Sequence, residues 1–223
     1  VQLIELQRAS KPAALRAADH VLRRYPRLYL DADVVVSGRS VLATFDRLGK
    51  GDVLAARPPI QYDTRHSTAL VRRYYRARTH VPAVLGSLWG AGAYALSFEG
   101  RARFGEYPDV VAEDLFVDRL FSTDEIAIVD CEPVRVTVPR AAGDLMRITG
   151  RAYRGDDASQ PMCRADWGHT TTQRTVRDLL RSASTTSAAL DAGVYAFIAT
   201  LTRVRALHHT SPGWERDDSS RQR

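Results

Sequence analysis

Arg27-Leu28-Tyr29-Leu30-Asp31-Ala32-Asp33-Val34-Val35-Val36 is the stretch on which the fold turns. Apolar residues run into it and β-branched valines follow, the composition of a buried strand. Two aspartates interrupt it, one residue apart. Alternate residues of a strand share a face, so Asp31 and Asp33 are expected to point together, at or just past the strand's carboxyl end. Like charges held that close raise each other's pKa unless a cation sits between them. A hard divalent ion with a diphosphate in its remaining positions suits such a pair. The plainer alternative is a strand end that begins a turn.

Working outward, the chain alternates. Val1-Gln2-Leu3-Ile4-Glu5-Leu6 resembles an interior strand, and a polar turn leads to a helix with Pro12 in its first turn and Leu15, Ala18, Val21 and Leu22 on one face. Beyond the aspartates, Ser37-Gly38-Arg39-Ser40 opens a helix through Val41, Leu42, Phe45 and Leu48 that Gly49 and Gly51 stop. Val53-Leu54-Ala55-Ala56 is a further short strand. Strand, helix, strand, helix, strand at this spacing predicts βαβ units and a mostly parallel, Rossmann-like sheet flanked by helices, with ligands beyond the carboxyl ends of the strands.

Composition bounds the rest. The chain has 223 residues, 44% hydrophobic and 26% charged, enough for one core with a tail. Its formal charge is +6, and only Lys11 and Lys50 are lysines. Arginine suits phosphate and carboxylate recognition, but a GC-rich genome also supplies it. Cys131 and Cys163 are too few for a disulfide framework and read as ordinary thiols of a reducing compartment. Val1 to Leu6 is not expected to be a secretory leader, and no stretch reaches the ~20 apolar residues of a membrane span.

The middle carries the second set of candidate residues. His66 to His80 reads as a helix with Leu70, Val71, Tyr74 and Tyr75 buried and Arg65, Arg72, Arg73, Arg76 and Arg78 on a solvated face, with no nucleic-acid partner expected. Leu88-Trp89-Gly90-Ala91-Gly92-Ala93-Tyr94-Ala95-Leu96 reads as a strand whose glycines mark a bulge or a close ligand. Trp89 is either core or a platform for a sugar face. A short helix spans Phe98 to Phe104. In the run from Asp109 to Phe121, Asp109 can cap a helix. Capping leaves Glu113 and Asp114 unexplained, since acids within an apolar run are costly without a partner or a task. Asp118 reads as structural, paired with Arg119 or a neighbouring strand.

These motifs, in this order, resemble family 2 glycosyltransferases of the GT-A fold. Ser10-Lys11-Pro12-Ala13-Ala14-Leu15 is similar to their Gly-Lys-x-x-Ala-Leu segment, Leu30-Asp31-Ala32-Asp33 to their DxD motif, and Gly90 to Leu96 with Glu113-Asp114 to their acceptor-side strand and ED motif, about eighty residues further on. The resemblance covers roughly residues 1–154. It implies metal-dependent, inverting transfer of a sugar from a nucleotide-sugar donor to the hydroxyl of a glycan or lipid-linked acceptor. Asp33, with Asp31, would hold Mg²⁺ or Mn²⁺ on the donor diphosphate, and Asp31 would also reach the ribose. Lys11 would lie near the nucleotide, and Asp114 would be the general base with Glu113 beside it. Trp89, Gly90 and Gly92 would line the acceptor side, and Arg140, Arg147, Arg151 and Arg154 would fall on a segment closing over the pyrophosphate. It also implies cell-envelope polysaccharide synthesis, in the cytoplasm or at the inner face of the membrane. No QxxRW follows, which argues against a processive synthase. The family's first βαβ unit would precede Val1, so the resemblance implies an N-terminally truncated domain.

Two rivals remain. Tyr29 to Val35 also fits the first motif of haloacid-dehalogenase-like phosphatases, with Asp31 as nucleophile and Asp33 as acid/base, but that class needs a later lysine and none follows Lys50. An inactive fragment, or a basic binding module, leaves the acidic pairs without a task. The remainder, 155–210, reads as a helical extension. It begins with a loop over 155–160, continues with a helix from Gln173 to Ala183, and places Asp166, His169 and Asp178 on a polar surface. A last helix, Asp191 to Leu207, carries a broad apolar face of Val194, Tyr195, Phe197, Ile198, Leu201 and Val204. That face is expected to pack on the domain, the alternative being contact with an anionic membrane surface. Residues 211–223 read as a disordered tail.

Overall fold

The computed structural model describes residues 2–7, 10–110, 112–158, 178–179 and 185–208, with 151–158 and 206–208 as backbone alone. Expectations for residues outside these, including the 173–183 helix apart from Asp178 and Leu179, fall beyond the description.

The aspartate stretch is not one strand. β1 (Arg27–Leu30) ends at Asp31, a turn closed by the Val34 N–H on the Asp31 carbonyl (3.2 Å) follows, and β2 (Val34–Val35) joins a different sheet. Asp31 and Asp33 therefore sit where the chain leaves one sheet for another. The residues Gln2 to Leu6 form no strand.

Among the described residues, seven short strands make two mixed sheets. One runs β1–β5–β3–β6, with β3 at Ala55–Arg57, β5 at Ala93–Leu96 and β6 at Ile126–Ile128. The other runs β2–β7–β4, with β4 at Ile60–Asp63 and β7 at Val134–Thr137. The expectation of a mostly parallel sheet is corrected. β5 is antiparallel to both β1 and β3, β2 is antiparallel to β7, and only β3–β6 and β4–β7 are parallel. The crossover from β1 to β3 leaves a slot one strand wide, and β5, whose four residues are all buried, fills it from a later part of the chain. Sequence alternation cannot show such an insertion, because neighbours in the chain need not be neighbours in the sheet.

Helices flank the sheets. Helix α1 (Lys11–Val21) starts where the Ser10 hydroxyl accepts the Ala13 N–H at 3.3 Å, with Pro12 in the first turn. Helix α2 (Gly38–Gly49) is capped by Ser37 and sends the Ser40 hydroxyl to the Glu132 carbonyl at 2.6 Å. Helix α3 (Ala69–Arg78) is shorter than its sequence pattern predicts and buries Val71, Tyr74 and Ala77, while Leu70 is exposed. The one-turn helices α4 (Pro82–Leu85) and α5 (Phe98–Arg101) bracket β5. Helix α6 (Glu113–Asp118) starts after Ala112, and Asp109, expected to cap it, pairs with Arg16 instead (2.8 Å). Helix α7 (Ala142–Ala158) takes in 155–158, which the sequence suggests as loop. Helix α8 (Thr186–His208) completes the described chain.

One core joins β1, β3 and β5 to the helices around Phe104, Tyr107, Phe116 and Phe121. A second packs α8, through Tyr195 and Ile198, against α3 and α7. The arginine face of α3 is not simply solvated. Arg73 (2.8 Å) and Arg76 (2.8 Å) both ion-pair with Asp191 of α8, a nearly buried carboxylate. The packing expected of the last helix is therefore observed, although Phe197 and Val204 point outward. Among the described residues no helix is long and apolar enough to cross a membrane.

Candidate functional site

Four separated segments converge at the carboxyl end of β1. Lys11, the first residue of α1, places its ammonium between two acids. It ion-pairs with Asp31 at 2.5 Å and with Glu113 of α6. Glu113 is almost wholly buried, and Asp31 is about a third exposed on its side chain. The loop entering β5 supplies the rest of the frame. The Asp31 N–H donates to the Gly92 carbonyl at 2.7 Å, and the Gly90 N–H donates to the Asp114 carboxylate at 2.8 Å. The other Asp114 oxygen accepts the Leu115 N–H at 2.9 Å.

The glycines lie in this loop rather than inside the strand. Both have positive φ, +78° at Gly90 and +62° at Gly92. A methyl carbon at Gly92 would stand 2.5 Å from a Val34 methyl and 3.1 Å from an Asp31 carboxylate oxygen, so the loop backbone lies directly against the aspartate turn.

The electrostatics are those of crowded carboxylates around one ammonium. Burial would lower the Lys11 pKa, but Glu113, Asp31 and Asp114 together raise it above its ordinary value, so it stays charged. Burial pushes Glu113 up to about 7, outweighing the pull of Lys11, and the Asp114 charge adds to the rise. Asp31 is also raised, first by burial and then by the charges of Asp114 and Asp33, against Lys11. One ammonium among these carboxylates leaves net negative charge facing solvent at the aspartate turn.

Among the described residues no three His, Cys, Asp or Glu side chains are grouped to hold a metal ion. The donor set nevertheless fits a hard divalent ion. Mg²⁺ is commonly held by one or two carboxylates, with waters and substrate phosphates completing the shell. Asp31 and Asp33 on a tight, partly exposed turn supply that number, and Lys11 is the cation with which a metal would share Asp31.

The other sequence candidates divide. Trp89 is partly buried beneath the Arg78 guanidinium, 5.0 Å from the ring centre, so it is both core edge and accessible ring. Arg147 is exposed and pairs with Asp144 (2.7 Å) along α7 rather than with the acidic cluster. Arg151 belongs to the same helix, and its side chain lies outside the described residues. Asp118 is structural as expected, but its partner is the Leu88 N–H (2.5 Å), and burial pushes it up to about 6.

Arg57 plays a part that the sequence pattern does not show. It is 1% exposed and donates to the carbonyls of Ser87, Pro58, Val84 and Leu85 at 2.5, 2.8, 3.2 and 2.8 Å. With Asp118, which accepts the Leu88 N–H, it anchors residues 84–88, the stretch that leads into Trp89 and Gly90. The sequence offers only a charged residue closing an apolar strand before Pro58-Pro59, which does not say whether its side chain is buried. No family model matches the chain, and no match was found among curated proteins or among solved structures.

Proposed function

We propose that this protein is a metal-dependent glycosyltransferase that uses a nucleotide-sugar donor and a hydroxyl acceptor. The observation that carries the reading is the meeting of two acidic motifs about eighty residues apart: Asp31 and Glu113 share one ammonium, and Asp114 is held by the loop that also binds Asp31. The order of motifs along the chain supports the GT-A assignment, and the α/β architecture of mixed sheets flanked by helices is compatible with it.

The roles follow from the chemistry of the groups. Asp33 and Asp31 are the residues that would hold Mg²⁺ or Mn²⁺, and such an ion would supply charge to offset that developing on the leaving diphosphate. Asp114, oriented by two backbone N–H groups, accepts the acceptor hydroxyl proton as the oxygen attacks the anomeric carbon. Glu113 and Lys11 position the aspartate turn, and the Lys11 charge favours the nearby phosphates. The acceptor, a glycan or lipid-linked hydroxyl, lies along Trp89, Gly90 and Gly92. The outer face of α8, with Leu190, Phe197 and Val204 exposed, could approach a membrane carrying such acceptors.

One contact favours a second reading. A haloacid-dehalogenase-like phosphatase needs a lysine beside its nucleophilic aspartate, and Lys11 pairs with Asp31. Against it, among the described residues β1 has one sheet neighbour, and that neighbour is antiparallel. The deciding experiment incubates the protein and Mn²⁺ with nucleotide-sugars and with phosphate monoesters. Release of nucleoside diphosphate with sugar transfer supports the first reading, and release of orthophosphate alone overturns it.

A further inference from the structure

Among the described residues, several arginines are matched by acids or carbonyls. Arg27 and Arg101 share Asp19, Arg73 and Arg76 share Asp191, and Arg57 is held by four carbonyls. Arg78 differs. It ends α3, its Nε donates to the Tyr62 hydroxyl at 3.0 Å, and its guanidinium lies over the Trp89 ring. Among the described residues no carboxylate pairs with it, and its two terminal amino groups make no hydrogen bond. A guanidinium has five N–H donors and always carries its charge. Stacking on the indole offsets only part of the cost of taking that charge from water.

Its position ties this open fork to the candidate site. A methyl carbon at Gly90 would lie 2.9 Å from the Arg78 Nη2, so the fork reaches the Gly90 backbone. The Gly90 N–H in turn holds Asp114. A group bound on the fork is thus one residue away from the acid assigned as base. The partners such a fork matches are oxyanions, bound through paired N–H donors.

We propose that Arg78 and Trp89 form an oxyanion subsite that binds a phosphate or carboxylate group carried by the acceptor. The word acceptor rests on the glycosyltransferase reading; the anion site itself does not. An acceptor anchored there by its charged group would present a hydroxyl toward Asp114, and neutral analogues would bind more weakly.

The test omits donor and metal. Inorganic phosphate, acetate, farnesyl monophosphate and farnesol are titrated at low ionic strength, by calorimetry and by tryptophan fluorescence. Phosphate or acetate should bind the parent, and Arg78→Gln should weaken that binding roughly tenfold or more, the worth of one charge-assisted hydrogen bond. Arg78→Lys, which keeps the charge without the fork, should lose less, and its melting temperature shows whether the fold survives. Trp89→Phe should lose much of the fluorescence response while retaining binding. Farnesyl monophosphate binding more tightly than phosphate, with no farnesol binding, identifies a lipid-borne phosphate; equal binding identifies the anion alone as the recognised group. Failure of the parent to bind either small anion, or binding by Arg78→Gln within twofold of the parent, overturns the subsite. Anion binding without sugar transfer would fail the glycosyltransferase reading alone.

Discussion

The Asp31 N–H donates to the Gly92 carbonyl at 2.7 Å, joining the end of β1 to the loop that enters β5. This bond holds the aspartate turn against a glycine with φ of +62°. Gly92→Ala would place a methyl group against Val34 and Asp31 in a backbone conformation that alanine rarely adopts. The variant should lose about 1–3 kcal/mol of unfolding free energy in urea. A loss below about half a kilocalorie would mean that the loop moves freely off the turn.

Metal affinity should depend on the aspartate turn. Asp33→Ala is expected to abolish the Mn²⁺- or Mg²⁺-dependent rise in melting temperature, because a single remaining carboxylate shared with Lys11 is a poor ligand set. An Asp33→Ala protein that responds to metal as the parent does would refute the assignment.

Asp114→Asn keeps an oxygen to accept the Gly90 N–H but cannot take a proton at neutral pH. Transfer should fall by roughly 10²–10⁴-fold with donor affinity changed only a few-fold, since the donor diphosphate sits on the other carboxylates. Glu113→Gln is the comparison and should lose less turnover. Parent-like transfer by Asp114→Asn would remove the base from the proposal and leave the fold untouched.

Stability should carry a signature of the buried acids. Burial pushes Glu113 up to about 7 from an ordinary 4.5, and Asp118 up to about 6 from 3.8. An acid with a raised folded pKa binds its proton more tightly when folded. Its stabilising contribution is therefore complete below its ordinary pKa and is lost as pH rises through the folded value. Between pH 5 and 8 the urea midpoint of the parent should fall on account of these groups, and Glu113→Gln should reduce that fall. Asp63 and Glu125, each lowered to about 2 first by a side-chain hydrogen bond from an arginine, act oppositely, and their contribution is lost as pH drops from about 4 toward 2. Equal slopes in parent and variant between pH 5 and 8 would exclude Glu113 as a titrating group.

The local features of this protein were legible in its sequence. Pro12 in a first turn and Ser37-Gly38 ahead of an apolar stripe marked two helix starts, and the structure adds that the Ser10 and Ser37 hydroxyls each satisfy a free N–H there. The acids at 31, 33, 113 and 114 stood out because carboxylates in apolar runs need a partner, and Lys11 proves to be that partner for two of them. Tertiary structure decided what contacts distant in sequence decide. Strand direction was one such matter, since β5 enters between β1 and β3 only once the chain has folded back. The break at Asp31 was another, because two short strands joined by a turn have the same residue pattern as one long strand. Arg57, Arg78 and Asp118 gained their roles the same way. Nothing in a linear pattern tells an exposed arginine from one that four carbonyls hold in the core, because desolvation depends on what packs around a group and not on its neighbours in the chain.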